Sequence, residues 1–250
     1  MLIALPLTDQ FITMKENTCL NRFSFFGDLA HLVFPQVCIS CSKELSISEK
    51  NICSICTSEL LETNFHLSIE PTSMDKLFWG RFDVHKTYAH LFFEKEKSSQ
   101  HVLFSLKYQN NPNIGYYFGT TIGRRLKTIS AFDDIDVFIP APLHPKKEFL
   151  RGYNQSESIA KGIGDAMSIP VDLNSVLRSK HGSTQTKKSR FERWDNVQST
   201  FKTKKTIKAY KHIVLVDDVI TTGSTLESIA QSIRAIHPEV RISIVTLAIS

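Results

Sequence analysis

No run of apolar residues in this 250-residue chain approaches the roughly eighteen needed to cross a bilayer as a helix. The opening LIALPL is short, lacks a basic flank and soon meets Asp9, so it does not read as a secretory leader. These two absences make the cytoplasm the expected compartment. No internal repeat or low-complexity block is apparent, which excludes solenoids and propellers. Cysteine is scarce, at five residues, too few for a disulfide-stapled scaffold of this length. What remains is a chain with 42% hydrophobic residues and seventeen Phe, enough for one large domain or a domain with an appendage.

The formal charge of +5 is unevenly placed. Between Arg178 and Lys211 stand eleven Lys/Arg against Glu192 and Asp195, a net +9 that leaves −4 for the rest. A solvated loop is the plain reading of such a run. The sharper reading is an arm that closes on a polyanion, either the phosphates of a small substrate or a nucleic-acid backbone.

Four of the five cysteines fall in one window. CISC and CSIC, at Cys38/Cys41 and Cys53/Cys56, are separated by eleven residues, a spacing that suits four thiolates around a tetrahedral Zn²⁺. Disulfides or a redox pair are the rivals, and a reducing compartment weighs against the first. Four protein ligands leave no open coordination position, so the metal is expected to be structural. Cys19 stands apart and reads as a small core or surface thiol. Upstream, Phe26, Leu29, Ala30 and Val33 recur at helical spacing and Pro35 closes the segment, predicting an amphipathic helix.

From about Phe82 the pattern becomes regular. DVHKTYAHLFF predicts a strand or hairpin, and HVLFSLKY and GYYFGTTIGRRLKTI predict helices joined by an NNPN turn. DVFIPAPL is a short strand, QSESIAKGIGDAM a helix, IPVDLNSVL a strand, HIVLVDD a buried strand, STLESIAQSIRAI a helix and VRISIVTLAI a final strand. Such alternation predicts an α/β fold with a mainly parallel sheet covered on both faces. The expected division is residues 1–36 as an N-terminal segment, 37–62 as a zinc-ribbon module and 63–250 as the main domain.

The chemistry concentrates at IVLVDDVITTGST. IVLV suits a central strand, and ligands of open α/β sheets bind beyond the carboxyl ends of such strands. Asp217 and Asp218 stand there, followed by Val219-Ile220 and then Thr221, Thr222, Gly223, Ser224 and Thr225 opening a helix. Small hydroxylated residues let backbone N–H groups turn inward toward an anion, aided by the helix N-terminus. Ionised carboxylates only accept hydrogen bonds and so seek donors such as ribose hydroxyls. The motif can therefore hold both ends of a ribose 5-phosphate. A receiver domain would need more than the 32 residues that follow Asp218, and a Walker loop would need a Lys between Gly223 and Thr225. The plainer alternative is a strand ending in two solvated acids before a capped helix.

These thirteen positions resemble the phosphoribosyl-pyrophosphate (PRPP) motif of type I phosphoribosyltransferases. Three further features look like the ComF (competence protein F) family: FP-x2-C-x2-C at Phe34–Cys41, LKY at Leu106–Tyr108 and PAPLHPKK-x3-RGYNQ-x3-IA at Pro140–Ala160. So does the set Thr184, Gln185, Arg190, Asn196-Val197 and Phe201. The resemblance implies a type I phosphoribosyltransferase-like sheet with an N-terminal zinc ribbon. It gives Asp217 and Asp218 the ribose 2′- and 3′-hydroxyls, and Thr221–Thr225 the 5′-phosphate. The turn Ala141, Pro142, Leu143 would be the pyrophosphate loop. Lys107, Arg151 and Lys146 or Lys147 are candidates for neutralising the diphosphate, with Arg190 or Arg193 arriving from the basic arm. The implied chemistry is displacement of pyrophosphate from C1 of the ribose by a nitrogen nucleophile, with Mg²⁺ bridging oxygens. No residue stands out as reading a nucleobase edge. The resemblance also implies a role in competence or DNA uptake, or in nucleotide salvage. The rival function is a non-catalytic PRPP or nucleotide sensor that binds single-stranded DNA or works with DNA-uptake or helicase proteins.

Overall fold

The apolar runs around Leu215 and Val245 become the central strands of a parallel sheet in the computed structural model, which describes residues 36–179 and 200–250. The sheet contains β1 (Thr87–Phe92), β2 (Val137–Pro140), β5 (His212–Ile220) and β6 (Arg241–Ile249) in the order β1-β6-β5-β2. All three pairings are parallel. Ile213, Val214, Leu215 and Val216 have no solvent exposure, so both faces of β5 are covered, as a parallel sheet requires. A separate antiparallel pair joins β3 (Val176–Arg178) to β4 (Phe201–Thr203). The predicted amphipathic helix at Phe26–Val33, Cys19, Phe34, Pro35 and the basic-arm residues Thr184, Gln185, Lys187, Lys188, Arg190, Phe191, Arg193, Trp194, Asn196 and Val197 lie outside the described residues.

Seven α-helices are found among the described residues: α1 (Ser54–Ser58), α2 (Ser73–Lys76), α3 (Ser98–Tyr108), α4 (Pro112–Leu126), α5 (Pro145–Arg151), α6 (Gln155–Met167) and α7 (Ser224–Arg234). Asn111 caps α4, with Pro112 in its first turn where a missing N–H costs nothing. Helix α6 lies on β2 and β5 and packs closely on α4. The closeness comes from small residues. A Cβ on Gly119 would fall 2.2 Å from the Ile159 carbonyl oxygen, and one on Gly162 would fall 2.3 Å from that of Tyr116.

Two readings need correction. IPVDLNSVL is not one strand: Val171 makes a single parallel bridge to Phe138, and β3 begins only at Val176. Between them the Asp172 carboxylate accepts from the N–H groups of Asn174 and Ser175, the local bonding that turns a chain out of a sheet. The buried strand also does not stop at the acids. Asp217 pairs in register with Thr246, and pairing with β6 continues to Ile220 opposite Ile249. Periodicity likewise gave no sign of the short α5 and β4.

At the amino end of the sheet, His212 Nδ1 lies 2.8 Å from Asp134 Oδ1 and its Nε2 lies 2.9 Å from Ser243 Oγ. Burial, opposed by the Asp134 contact, holds the His212 pKa below its ordinary value, so the neutral ring donates to Asp134 and accepts from Ser243. His212 and Ser243 are fully buried, and the trio fastens β5 and β6 rather than meeting a substrate.

Gly119→Ala is expected to destabilise the protein by about 1–3 kcal/mol, the usual cost of overpacking a fitted contact. Denaturant unfolding checks this, and an unchanged midpoint would show that α4 and α6 do not approach so closely.

Candidate functional site

Pairing of β2 with β5 ends at Pro140 opposite Val216, and the Ala141 N–H donates to the Val216 carbonyl at 2.8 Å. The chain then turns away toward α5, while β5 runs on beside β6. Asp217 and Asp218 therefore sit where β5 has lost one neighbour, in the crevice this leaves at the carboxyl end of the sheet. Successive strand residues face opposite ways. Asp217 Oδ1 accepts from Ser156 Oγ of α6 at 2.8 Å, whereas Asp218 Oδ2 lies 3.2 Å from Lys107 Nζ at the end of α3. Burial, reinforced by the Asp218 charge, raises the Asp217 carboxyl to about 7, against the opposing pull of the Ser156 hydroxyl, the Asp218 N–H and Lys107.

Past the acids the chain bends at Thr221–Gly223. Gly223 has φ 72°, a left-handed conformation that favours glycine, and a Cβ there would come within 2.8 Å of the Phe78 ring. Asp217 and residues 219–226 line one concavity of about 40 Å³. Thr221, Thr222, Ser224 and Thr225 are exposed at its rim and Val219 is half-buried.

The RGYNQ segment, read as a string, gives no clue to its work; each residue holds part of the crevice. Gly152 (φ 77°) ends α5. Tyr153 donates its hydroxyl to the Leu106 carbonyl at 2.5 Å, fixing the end of α3 that carries Lys107. Asn154 donates to the Ala141 carbonyl at 3.1 Å and caps α6 through Ser156 N–H. Gln155 accepts from Arg151 at 2.8 Å, and the Arg151 guanidinium lies over the Tyr108 ring, 5.7 Å from its centroid. Ala141 is buried, Pro142 and Leu143 are half-buried, and Lys146 and Lys147 point to solvent on α5. The structure thus brings Asp217 together with Thr221–Thr225 around one concavity, pairs Asp218 with Lys107 on the other side of the strand, sets Arg151 over Tyr108 beside that lysine, and leaves Lys146 and Lys147 on the surface. Sequence reasoning missed Ser156 and Arg81; the latter donates to the Thr222 carbonyl across 141 residues of chain and to Glu227 across 146, separations that no local pattern bridges.

The four cysteines form a second site. One ligand atom from each of Cys38, Cys41, Cys53 and Cys56 lies within 4.8 Å of the others, a cluster able to hold a metal ion such as zinc. None of the four is in a disulfide. Cys38 Sγ accepts from the N–H groups of Ser40 and Cys53, and Cys53 Sγ from that of Cys56. Burial raises the Cys38 pKa, but amide bonds from Cys41, Cys53 and Ser40 outweigh it and bring the thiol down to about 7, while burial and the neighbouring cysteines push Cys56 up to about 12. The module is stitched to the main sheet: Ser40 donates to Ser98, Ser98 to Glu59, and Glu62 bridges to Leu91. Among the described residues no helix is long and apolar enough to cross a membrane.

Comparison with known proteins adds to this geometry. The phosphoribosyl transferase domain family matches residues 155–249, from the start of α6 to the last strand. Competence protein F of Haemophilus influenzae is 37% identical over 106 residues, which are 42% of this chain and 46% of that protein, so the match spans less than half of that relative. DNA utilization protein YhgH of Escherichia coli (strain K12) is 24% identical over 221 residues, covering 80% of this chain and 91% of that one. The chain is thus similar to proteins named for competence and for DNA utilization, and its carboxyl-terminal part matches the phosphoribosyl transferase domain family. Among solved structures, the glutamine PRPP amidotransferase of B. subtilis, in complex with ADP and GMP, is 21% identical with a TM-score of 0.40, over 56% of this chain and 30% of that one. The four-cysteine cluster and the parallel sheet occupy one compact unit, Val37–Ser250.

The raised Asp217 carboxyl has a stability consequence. A group whose folded pKa exceeds its unfolded value of about 3.9 lends stability that is lost as pH rises through the folded value. Between about pH 4 and 7 the ligand-free protein should lose that contribution. Asp217→Asn should therefore raise the melting temperature at pH 8 by about 2–4 °C or more, the shift that 1 kcal/mol makes in a protein of this size. Ser156→Ala should push the Asp217 titration higher still in carboxyl NMR, and an unmoved titration would break the assigned hydrogen bond.

Proposed function

We propose that this crevice binds PRPP, or a related ribose 5-phosphate nucleotide, together with Mg²⁺, and transfers the phosphoribosyl group to a nitrogen acceptor. One observation carries the reading: Asp217 and the 219–226 bend line a single concavity at the point where β2 ends. The bend takes the 5′-phosphate on its amides and hydroxyls, and the adjacent acids accept from the ribose hydroxyls. The diphosphate then lies toward Ala141–Leu143. As the C1–oxygen bond to pyrophosphate breaks, the ring gains oxocarbenium character and negative charge collects on the leaving group. Lys107, 3.2 Å from Asp218, is a cation placed to meet that charge, and Arg151 over the Tyr108 ring is a second. Asp217 and Asp218 would offer Mg²⁺ hard oxygen donors, and the ion would supply neutralisation of the charge gathering on the leaving diphosphate. Ionised Asp217 is the binding form, so affinity rises with pH through about 7.

The names of the relatives support a place in competence or DNA uptake, and one feature favours the non-catalytic alternative. Phe104 and Tyr108 on α3 are 56% and 64% exposed with ring centroids 4.9 Å apart, and Arg151 covers the Tyr108 ring. Exposed aromatics with a neighbouring cation are what single-stranded DNA stacks upon. In either reading the cysteine cluster holds a structural Zn²⁺.

Isothermal titration with PRPP and Mg²⁺ should show binding that the Asp217→Asn/Asp218→Asn double variant loses by about tenfold or more, the worth of one or two charge-assisted hydrogen bonds. Equal affinity in a folded double variant would mean the site is elsewhere. Pyrophosphate release with a panel of bases and amines identifies the enzyme; salt-sensitive retardation of single-stranded DNA without release identifies the binding protein. Elemental analysis should find about one Zn²⁺ per chain, lost on Cys38→Ser, since four thiolates complete one tetrahedral site. A metal-free, folded protein would refute the zinc assignment.

A further inference from the structure

The bend that receives the phosphate is held from behind. Arg81 Nη1 donates to the Thr222 carbonyl at 2.5 Å and to the Leu77 carbonyl at 3.0 Å, while its Nε donates to Glu227 Oε2 at 3.0 Å and its Nη2 also contacts that carboxylate. The guanidinium lies over the Phe78 ring, 5.9 Å from its centroid. Phe78 is buried and closes the space beside Gly223. One side chain thus joins the segment before β1, the bend and the first turn of α7.

Two physical consequences follow. A peptide group can present only one end to a cavity. With the Thr222 carbonyl bonded to Arg81 outside the bend, the Gly223 N–H of the same peptide is left for the inner side. The second consequence is electrostatic. Glu227 stands in the first turn of α7, where its carboxylate competes for the same positive helix end that a phosphate would use. The two side chains are 29% and 21% exposed, so solvent screens them only in part. Arg81 cancels the Glu227 charge at the one place where an uncompensated anion would repel the ligand.

We infer that Arg81 is a positioning residue for the 5′-phosphate: it orients the Thr222–Gly223 peptide and neutralises Glu227, without itself touching the ligand. The inference rests on the ribose 5-phosphate reading of the site and names a residue outside every motif that supports it. Arg serves here where Lys would not, because three acceptors at different angles need the guanidinium fork.

The test is calorimetric and uses the full chain with two probes, ribose 5-phosphate and inorganic pyrophosphate, the second seated on the Ala141–Leu143 side. Arg81→Met should weaken ribose 5-phosphate binding by about tenfold or more, the usual worth of a charged hydrogen-bonding partner, and leave pyrophosphate binding within about twofold. Arg81→Lys, which keeps the charge and loses the fork, should fall between. Glu227→Gln alone should bind as well as the wild type, and Arg81→Met/Glu227→Gln should recover part of the loss, because the repelling charge is gone. Recovery is the readout that a merely structural role would not produce. Wild-type affinity in Arg81→Met, equal loss of both probes, or no recovery in the double variant overturns the inference while leaving the site reading intact. Should the wild-type protein itself not bind ribose 5-phosphate, the site reading falls and this inference with it.

Discussion

The architecture turns on a mismatch in strand length. β2 contributes four residues and β5 nine, and the two part company at Val216. Here the sequence changes from apolar to acidic at the residue where the neighbour is lost, so Asp217 meets the concavity and Asp218 meets Lys107 while β6 still anchors the backbone behind them. Everything proposed for the site depends on that coincidence of register and composition.

The arrangement stores electrostatic tension in the ligand-free state. Two adjacent carboxylates, one half-buried and one almost fully so, raise the pKa of Asp217 by burial first and mutual repulsion second. Ser156 and Lys107 relieve part of it. Sugar hydroxyls and a divalent cation would relieve the rest, which is how a site destabilised by itself gains affinity for a ligand that completes it. The same logic operates at α7, where Glu227 would spoil the anion site were it not bonded to Arg81.

Much of this was legible in the residues. The all-apolar IVLV predicted a strand buried on both faces, and Ile213–Val216 are fully buried; the helices 155–167 and 224–234 follow from apolar spacing. The cysteine spacing predicted the cluster that the fold assembles. What the string could not show were features set by partners far away in sequence. β5 extends past its acids because β6 pairs with it, α5 is too short and too exposed to leave a period, and the stretch 169–177 breaks because Asp172 bonds its own backbone. No local pattern gives Lys107 a partner, yet Tyr153 fixes the end of its helix and the lysine meets Asp218. Arg81 carries no local signature at all.

The central claim is that one ribose 5-phosphate lies across the end of β5, hydroxyls on the acids and phosphate in the bend. The most direct measurement is the electron density of crystals grown with PRPP and Mg²⁺. The account predicts a phosphate within hydrogen-bond distance of the amides of residues 222–225 and a ribose ring edge-on to Asp217 and Asp218. Density for the ligand elsewhere, with the Asp217–Ser156 and Asp218–Lys107 pairs undisturbed, would contradict it.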